Sequence, residues 1–168
     1  MQNAKDTFYI TLCNRIAALN PGRTVVVRGA TRPGVLVEEN ELETAVEMPD
    51  AFRLRWTSAK VDAAGALPLV ALGCEIRYCT DGNAGNGGMD RGRLLAAMDG
   101  ELASAVGAGP QSAVKMNYSG TAQGGAPAAM GTNIFWGDLA FGEVVVNGER
   151  LERVATVQVF SYQEAGEL

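Results

Sequence analysis

The stretch LPLVALGCEIRYCT (residues 67–80) alternates between apolar residues on one face and a mixed set on the other. The residues that share the apolar face are Val70, Leu72, Cys74, Ile76 and Tyr78. A two-residue period of this kind predicts a strand with one face in the core. The opposite face begins small and apolar and ends with Glu75 and Arg77. We expect that face to be covered at one end, by a helix or by a neighbouring subunit.

A glycine-rich turn, TDGNAGNGGMDRGR, leads from this strand into a helical pattern over residues 90–106. The apolar stripe of that helix consists of Leu94, Met98, Leu102 and Ala105. Asp90 stands at the first position and is the predicted N-cap.

The remaining patterns complete the expected fold. A helix is predicted over residues 6–19, with Asp6 as its N-cap. Strands are predicted over 23–29 and 34–40, joined by the turn ATRPG, and an acidic loop over 41–50 follows. Strands are also predicted over 51–62 and within 132–164, where NIFWGDLAF is one strand, EVVV is a short one and NGE is a turn.

A long segment over residues 107–131 is rich in Gly, Ala, Ser and Pro, and we expect a flexible loop or an arm ordered by a partner. Because strands come in runs with few helices between them, the sequence predicts one α+β domain over residues 1–168. Its sheet is expected to be mostly antiparallel, with two main helices packed on it.

Composition excludes several classes of function. The 168 residues carry a net charge of −5, which argues against non-specific binding to nucleic acids or anionic membranes. No apolar run approaches the roughly 20 residues of a spanning helix, and the first residues do not resemble a signal sequence. We therefore expect the chain to fold in a cytoplasm, with Cys13, Cys74 and Cys79 as reduced, buried thiols.

The chain contains no histidine, which excludes Ser-His-Asp and Cys-His catalysis and the usual histidine-bearing metal sites. Carboxylate-based or lysine-based enzymes remain permitted. No set of residues assembles a nucleophile, a base and an oxyanion hole, so we expect no catalytic, cofactor or metal site and no enzymatic activity.

The glycine-rich turn fails each ligand motif at a required position. A phosphate-binding loop needs Gly-Lys-Ser/Thr, but Met89 follows the glycines, and their spacing does not match a dinucleotide fingerprint. A calcium loop beginning at Asp81 would need glycine and glutamate where the chain has Asn86 and Gly92. We interpret the turn as a connector. The alternative is a small ligand-binding or enzymatic domain that uses residues 81–92, with Asp81, Asp90 and Arg91 or Arg93 as polar contacts.

The order of these elements resembles the tail-terminator and neck (tail-completion) proteins of tailed bacteriophages. The resemblance lies in the opening helix DTFYITLCNRIAAL, the strand LPLVALGCEIRYCT and the helix MDRGRLLAAMDGELASAV. The strands NIFWGDLAF and RVATVQVFSYQ complete it, so it covers nearly the whole chain by pattern, size and order.

The resemblance implies a structural virion protein that forms a ring, usually of six copies, at the end of the tail tube. Such a ring ends tube growth and joins the tail to the head connector, and DNA passes through its lumen without sequence-specific binding. The implied partners are further copies of the chain, the tail tube protein and the connector or neck proteins. Another neck, tube or baseplate subunit is the alternative.

For such an assembly protein we expect subunit contacts at exposed loops and strand edges. The residues expected at or near these contacts are Arg53, Arg55, Asn83, Asn86, Arg91, Tyr118 and Met130.

Overall fold

The structure is a computed structural model that describes residues 1–40, 48–87 and 89–167. Its two α-helices are α1 (Gln2–Leu19) and α2 (Arg91–Gly107). The first five strands are β1 (Thr24–Val27), β2 (Ala30–Pro33), β3 (Val35–Val37), β4 (Phe52–Asp62) and β5 (Leu69–Thr80). The others are β6 (Ser112–Asn117), β7 (Ala128–Trp136), β8 (Ala140–Phe141), β9 (Val145–Asn147) and β10 (Arg150–Tyr162).

Eight of these strands form one sheet, and six of them follow one another in the order β3-β4-β5-β10-β7-β6. Strands β8 and β9 pair with β10 beyond the end of β7, so three short strands share one side of this long central strand. Every pair is antiparallel except β3 with β4, and β1 and β2 form a separate hairpin. The predicted α+β domain with a mostly antiparallel sheet and two packed helices is confirmed.

Both helices pack on the same face of the sheet because both bury an apolar stripe. The stripe of α1 includes Phe8, Leu12 and Ile16, and that of α2 includes Met98 and Leu102. They meet the alternating residues of β4, β5 and β10 in one core cluster. The predicted inward residues of β5, from Val70 to Tyr78, are all buried.

Helix α1 begins earlier than predicted and ends where it was predicted to end. The helix begins at Gln2, and Asp6 lies inside it, accepting a hydrogen bond from Gln2 Nε2 at 2.7 Å. The expectation that Asp6 is the N-cap was therefore wrong. The helix ends at Leu19, as predicted, and the N–H of Asn20 bonds to the Ile16 carbonyl oxygen.

The first hairpin turns earlier than predicted. Its two turn residues are Arg28 and Gly29, both with positive φ, as a tight two-residue turn requires. The predicted turn residues Ala30–Pro33 form β2 instead, and β3 then leaves the hairpin to pair with β4. The sequence predicted a turn at Pro33-Gly34 rather than at Arg28-Gly29, because Arg-Gly is a weaker turn signal than Asn-Gly or Pro-Gly.

The segment 107–131 is not irregular throughout, contrary to the prediction of one long loop. It contains all of β6 and the first residues of β7, which pair antiparallel. Strand β6 escaped detection because its buried, inward residue is Lys115, so its pattern does not alternate between apolar and polar residues. A contact between this segment and a partner stays a prediction.

Two other predicted segments, 133–149 and 41–50, agree with the structure only in part or lie partly outside the described residues. NIFWGDLAF is interrupted after Trp136, and only its end resumes as β8, while the short strand EVVV and the NGE turn correspond to β9 and the link to β10. The predicted acidic loop covers residues 41–50, of which 41–47 lie outside the described residues.

The base of the first hairpin is fastened to α2 by a partly buried charge cluster. Arg23 contacts the Glu101 carboxylate through both Nε and Nη2, and Asn20 Nδ2 donates to Glu101 Oε1 at 2.8 Å. Burial opposes ionisation of Glu101, but the hydrogen bonds from Arg23 and Asn20 outweigh it and hold its pKa below the ordinary value of 4.5.

We predict that Glu101→Gln lowers the free energy of unfolding by about 1–2 kcal/mol at pH 7, since hydrogen bonds to a charged group are lost. A lowered carboxyl pKa means that the unfolded chain binds the proton more tightly. The stabilisation by Glu101 is therefore complete above about pH 4.5 and disappears as the pH falls through the lower pKa of the folded state. Urea unfolding at pH 7 and pH 3 should show the difference between variant and wild type shrinking with acidity. Glu149→Gln is the control, because the Glu149 side chain is 91% exposed; an equal effect there would contradict the prediction.

Candidate functional site

The sheet face opposite the two helices, called the outer face below, is a surface that changes character along its strands. Rows of cross-strand neighbours on β10, β5 and β4 define it. In order, the rows are Tyr162/Leu69/Asp62, Phe160/Ala71/Lys60, Gln158/Gly73/Ser58, Thr156/Glu75/Arg55 and Val154/Arg77/Arg53. The outer face is thus aromatic at one end, small and polar in the middle and charged at the other end.

The aromatic end continues onto β7. Phe135 lies directly across from Phe160, and its side chain is 42% exposed. Tyr162 is 43% exposed, and Val114 of β6 is also exposed on this side. Neighbouring exposed aromatic residues on a sheet face mark a contact surface more often than isolated ones do.

The middle of the outer face is a shallow groove of about 520 Å³. Its floor is Gly73, where an added Cβ would lie 2.5 Å from Ser58 Oγ. Strand β4 bulges between Trp56 and Ser58, which brings Thr57 and Ser58 over this glycine. The polar lining consists of Thr57, Ser58, Glu75, Asp138, Thr156 and Gln158.

The charged end holds the predicted contact residues Arg53 and Arg55. Both lie near the Glu38 carboxylate, at 3.8 Å and 4.0 Å, and Arg77 pairs with Glu75 at 2.9 Å. The Arg55 side chain is the most exposed of these three arginines, at 52%, so its ion pair adds little to stability.

The glycine-rich turn is held by charged groups from within the protein. Arg150 binds the Asp81 carboxylate through two hydrogen bonds of 2.6 and 2.9 Å, which lowers the pKa of Asp81. Asp90 precedes α2 as predicted, but its carboxylate accepts the Asn83 N–H at 3.1 Å rather than capping the helix. Asp90 is therefore the N-cap residue of α2 by position, as predicted, but its side chain makes no capping hydrogen bond to the helix.

The other polar groups of the turn are similarly engaged. Arg91 Nε donates to the Asp81 carbonyl oxygen at 3.1 Å, and Arg91 Nη2 donates to Glu149 at 3.0 Å. Gly82 has a φ of +74°, and a Cβ there would lie 2.4 Å from the Arg91 side chain. These contacts favour a connector over a ligand loop, since Asp81, Asp90 and Arg91 already have protein partners.

The remaining predicted contact residues do not join these groups into one surface. Asn83 and Asn86 are exposed in the turn, whereas Tyr118 and Met130 are partly buried near β6 and β7. Burial, and after it the nearby Asp6 carboxylate, raises the pKa of Tyr118. The structure therefore brings Arg53 and Arg55 together, and separately Asn83, Asn86 and Arg91.

The structure contains a buried ion cluster that was not predicted from the sequence. Lys115 is fully buried, and its Nζ lies 2.5 Å from Glu167 Oε2 and 2.5 Å from the Tyr162 carbonyl oxygen. Glu164 is 3.6 Å away. The cluster fastens the segment after β10 to β6. Lys115 is some 50 residues away from the two glutamates in the chain, so no local sequence pattern could have shown this cluster.

The cysteines behave as buried apolar residues. All three are free and buried, as predicted. Burial raises the pKa of Cys13 to about 11 and that of Cys74 to about 12, so neither is a reactive thiolate near neutral pH. Among residues 1–40, 48–87 and 89–167, no group of three or more Cys, Asp or Glu residues is placed to hold a metal ion.

The chain matches no protein-family model, and a search of the curated proteins found no significant match. No helix in the described part of the chain is long and apolar enough to cross a membrane. The fold and its surfaces define an α+β domain in which both helices pack on one face of the main sheet, while the other face carries exposed aromatic residues at one end and arginines at the other.

Proposed function

We propose that this protein is a structural virion subunit that forms a ring, of six copies, at the end of a phage tail tube. The ring ends growth of the tube and joins it to the head connector or neck proteins. This role requires contact surfaces and no chemical step. The protein would fold in the cytoplasm of the bacterial host and reside in the tail or neck of the virion.

The outer face is the observation that carries this proposal. The helices bury the other face of the sheet, while Phe135 and Tyr162 remain 42% and 43% exposed beside Phe160. A contact that covers the aromatic end would bury this apolar area and gain about 25 cal/mol for each Å² removed from water. The polar groove and the arginines at the other end supply hydrogen-bonding and charged groups that fix orientation. We assign the outer face to contact with the tail tube protein.

The charge of the chain is compatible with a ring through which DNA passes. A net charge of −5 disfavours tight binding of the phosphate backbone, so DNA would slide rather than adhere.

We predict that Phe135→Glu weakens binding to tail tubes at least about tenfold, because it places a charge in the apolar contact. The melting temperature should change by no more than a few degrees, since the side chain is already partly exposed. Co-sedimentation with isolated tail tubes and negative-stain microscopy of tube ends would measure the effect. Leu19→Glu is the matched control, because Leu19 is 51% exposed at the end of α1, away from the sheet.

Two outcomes would contradict the proposed function. Wild-type protein that stays monomeric at all concentrations, and that neither caps nor sediments with tail tubes, would overturn it. Equal weakening by Phe135→Glu and Leu19→Glu would show that the outer face is not the tube contact.

A further inference from the structure

We propose that neighbouring copies join head to tail through two different sheet edges, β9 of one copy pairing with the second half of β4 of the next. This inference rests on the ring-forming function proposed above and names the contact that would build the ring. It follows from three observations on the described residues: an apolar edge at β9 that pairs with no other described strand, a similar edge at β4, and one charge of opposite sign beside each that forms no ion pair with a described residue.

Strand β9 is an exposed edge of unusual composition. It pairs with β10 on one side, and no described strand pairs with its other side. Val144, Val145 and Val146 are 40%, 55% and 71% exposed. Val145 and Val146 belong to β9 and Val144 directly precedes it, so this open edge presents β-branched residues that can pair with another strand, and proteins ordinarily protect such edges.

The second half of β4 is the complementary edge. Strand β3 covers β4 only from Phe52 to Leu54, and no described strand pairs with that side from Thr57 to Asp62. Over this stretch, the backbone N–H and C=O groups that face away from β5 therefore have no strand partner among the described residues. Val61 adds an apolar side chain that is 45% exposed. A strand added here would extend the sheet and its outer face.

Charge distinguishes this pairing from the alternatives. Glu143 directly precedes the three valines, and Lys60 lies on the free stretch of β4. Both are exposed, and neither forms an ion pair with any described residue. An antiparallel register that sets Glu143 opposite Lys60 also sets Val145 opposite Ser58, with a hydrogen-bonded ladder between them.

Pairing of two β9 strands with each other is disfavoured by the same charges. An antiparallel pair centred on Val145 would place Glu143 of each copy beside Asn147 and close to Glu149 of the other, so acidic groups would face acidic groups. A contact between two different edges avoids this repulsion. Contacts of that kind are heterologous, and they close into rings when the rotation between copies permits.

Charge exchange tests this pairing directly. Lys60→Glu and Glu143→Lys are each expected to weaken self-association at least about tenfold, because like charges then face each other at every contact. The double variant K60E/E143K should associate as the wild type does. An equimolar mixture of the two single variants should also associate, since each contact in an alternating ring again joins opposite charges.

Mass photometry would follow assembly in solution, and cross-linking on isolated tail tubes would follow it on the tube, with circular dichroism confirming that each variant folds. If Glu143→Lys strengthens association, β9 pairs with β9 and the proposal is wrong. If Lys60→Glu weakens association and neither the double variant nor the mixture restores it, β9 is not the partner edge. Wild-type rings that are indifferent to both changes would overturn the edge pairing and leave the ring function standing, whereas absence of wild-type assembly both in solution and on tubes would overturn both.

Discussion

Replacing Lys115 with methionine is expected to lower the free energy of unfolding by about 3 kcal/mol, although methionine fills nearly the same volume. The ammonium group is fully buried and lies within 2.5 Å of Glu167 Oε2 and of the Tyr162 carbonyl oxygen. Removing one partner of a buried ion pair leaves the other charge uncompensated, which costs about 3–5 kcal/mol. We expect the lower end because Glu167 belongs to the segment after β10, which can turn toward water. The melting temperature should fall by about 6–12 °C.

A second variant distinguishes the cost of leaving the Glu167 charge uncompensated from the cost of altered packing at position 115. In Lys115→Met combined with Glu167→Gln, no buried carboxylate remains beside the methionine, so at least about half of the lost stability should return. Urea unfolding of both proteins at pH 7 would measure the difference. A loss of less than about 1 kcal/mol in the single variant would show that the cluster does not stabilise the fold. A double variant less stable than the single one would show that Glu167 acts through other contacts, such as its bonds to Asn3 and to the Glu164 N–H.

The Glu167 carboxyl illustrates why this cluster should also respond to acid. Burial opposes its ionisation, but the hydrogen bonds from the Glu164 N–H and from Lys115 outweigh that effect and hold its pKa below 4.5. As for Glu101, the stabilisation is present above that value and is lost as the pH falls through the folded-state pKa. Both clusters therefore weaken under the same acidic conditions.

Strands that bury an apolar face could be predicted from the sequence, because a period of two appears directly in the residues. Strand β5 carries that period over its whole length, and β4 and β10 carry it over most of theirs. The helices were predictable for the same reason, although α1 begins four residues earlier than its expected cap. Burial of a periodic face constrains the type of an element more tightly than it constrains its ends.

The errors occurred where a polar side chain decides the structure. Strand β6 was read as part of a loop because its inward position is a lysine whose partners lie some 50 residues further along the chain. Asp6 and Asp90 were expected to cap helices, yet each accepts a hydrogen bond from another nearby donor, Gln2 Nε2 and the Asn83 N–H respectively. Such choices depend on which donors the fold brings close, and this information is not local.

The candidate surface was only partly accessible to sequence reasoning. The outer face of β5 was expected to begin apolar and end charged, and Arg53 and Arg55, which the structure places on that face, were expected at subunit contacts. The row formed by Phe135, Phe160 and Ala71 depends on the order of the strands, which no single strand reveals. The exposure of Val144 to Val146 was also hidden, because a run of three valines ordinarily indicates a buried strand.

Truncating Phe8 to alanine is the second change for which we expect a large effect, a loss of about 3–5 kcal/mol. Phe8 is 2% exposed and joins α1 to the sheet between two tryptophans. Its ring lies edge-on to Trp56 at 6.0 Å and to Trp136 at 5.6 Å, so truncation removes two aromatic contacts and leaves a cavity. Thermal unfolding would give the loss, and the near-ultraviolet circular dichroism of the two tryptophans would report the altered packing.

Phe135→Ala is the matched control, because it deletes the same atoms from a side chain that is 42% exposed on the outer face. Its cost should stay below about 1 kcal/mol, since little buried area and no enclosed cavity are involved. Phe8→Leu should lie between the two, as it keeps most of the volume but loses both ring contacts. Comparable losses for Phe8→Ala and Phe135→Ala would mean that the outer face is covered in the isolated protein, which would contradict its assignment as a contact surface. If instead only Phe8→Ala is destabilising, the two faces of the sheet have separate roles: one holds the fold together, and the other is free to bind.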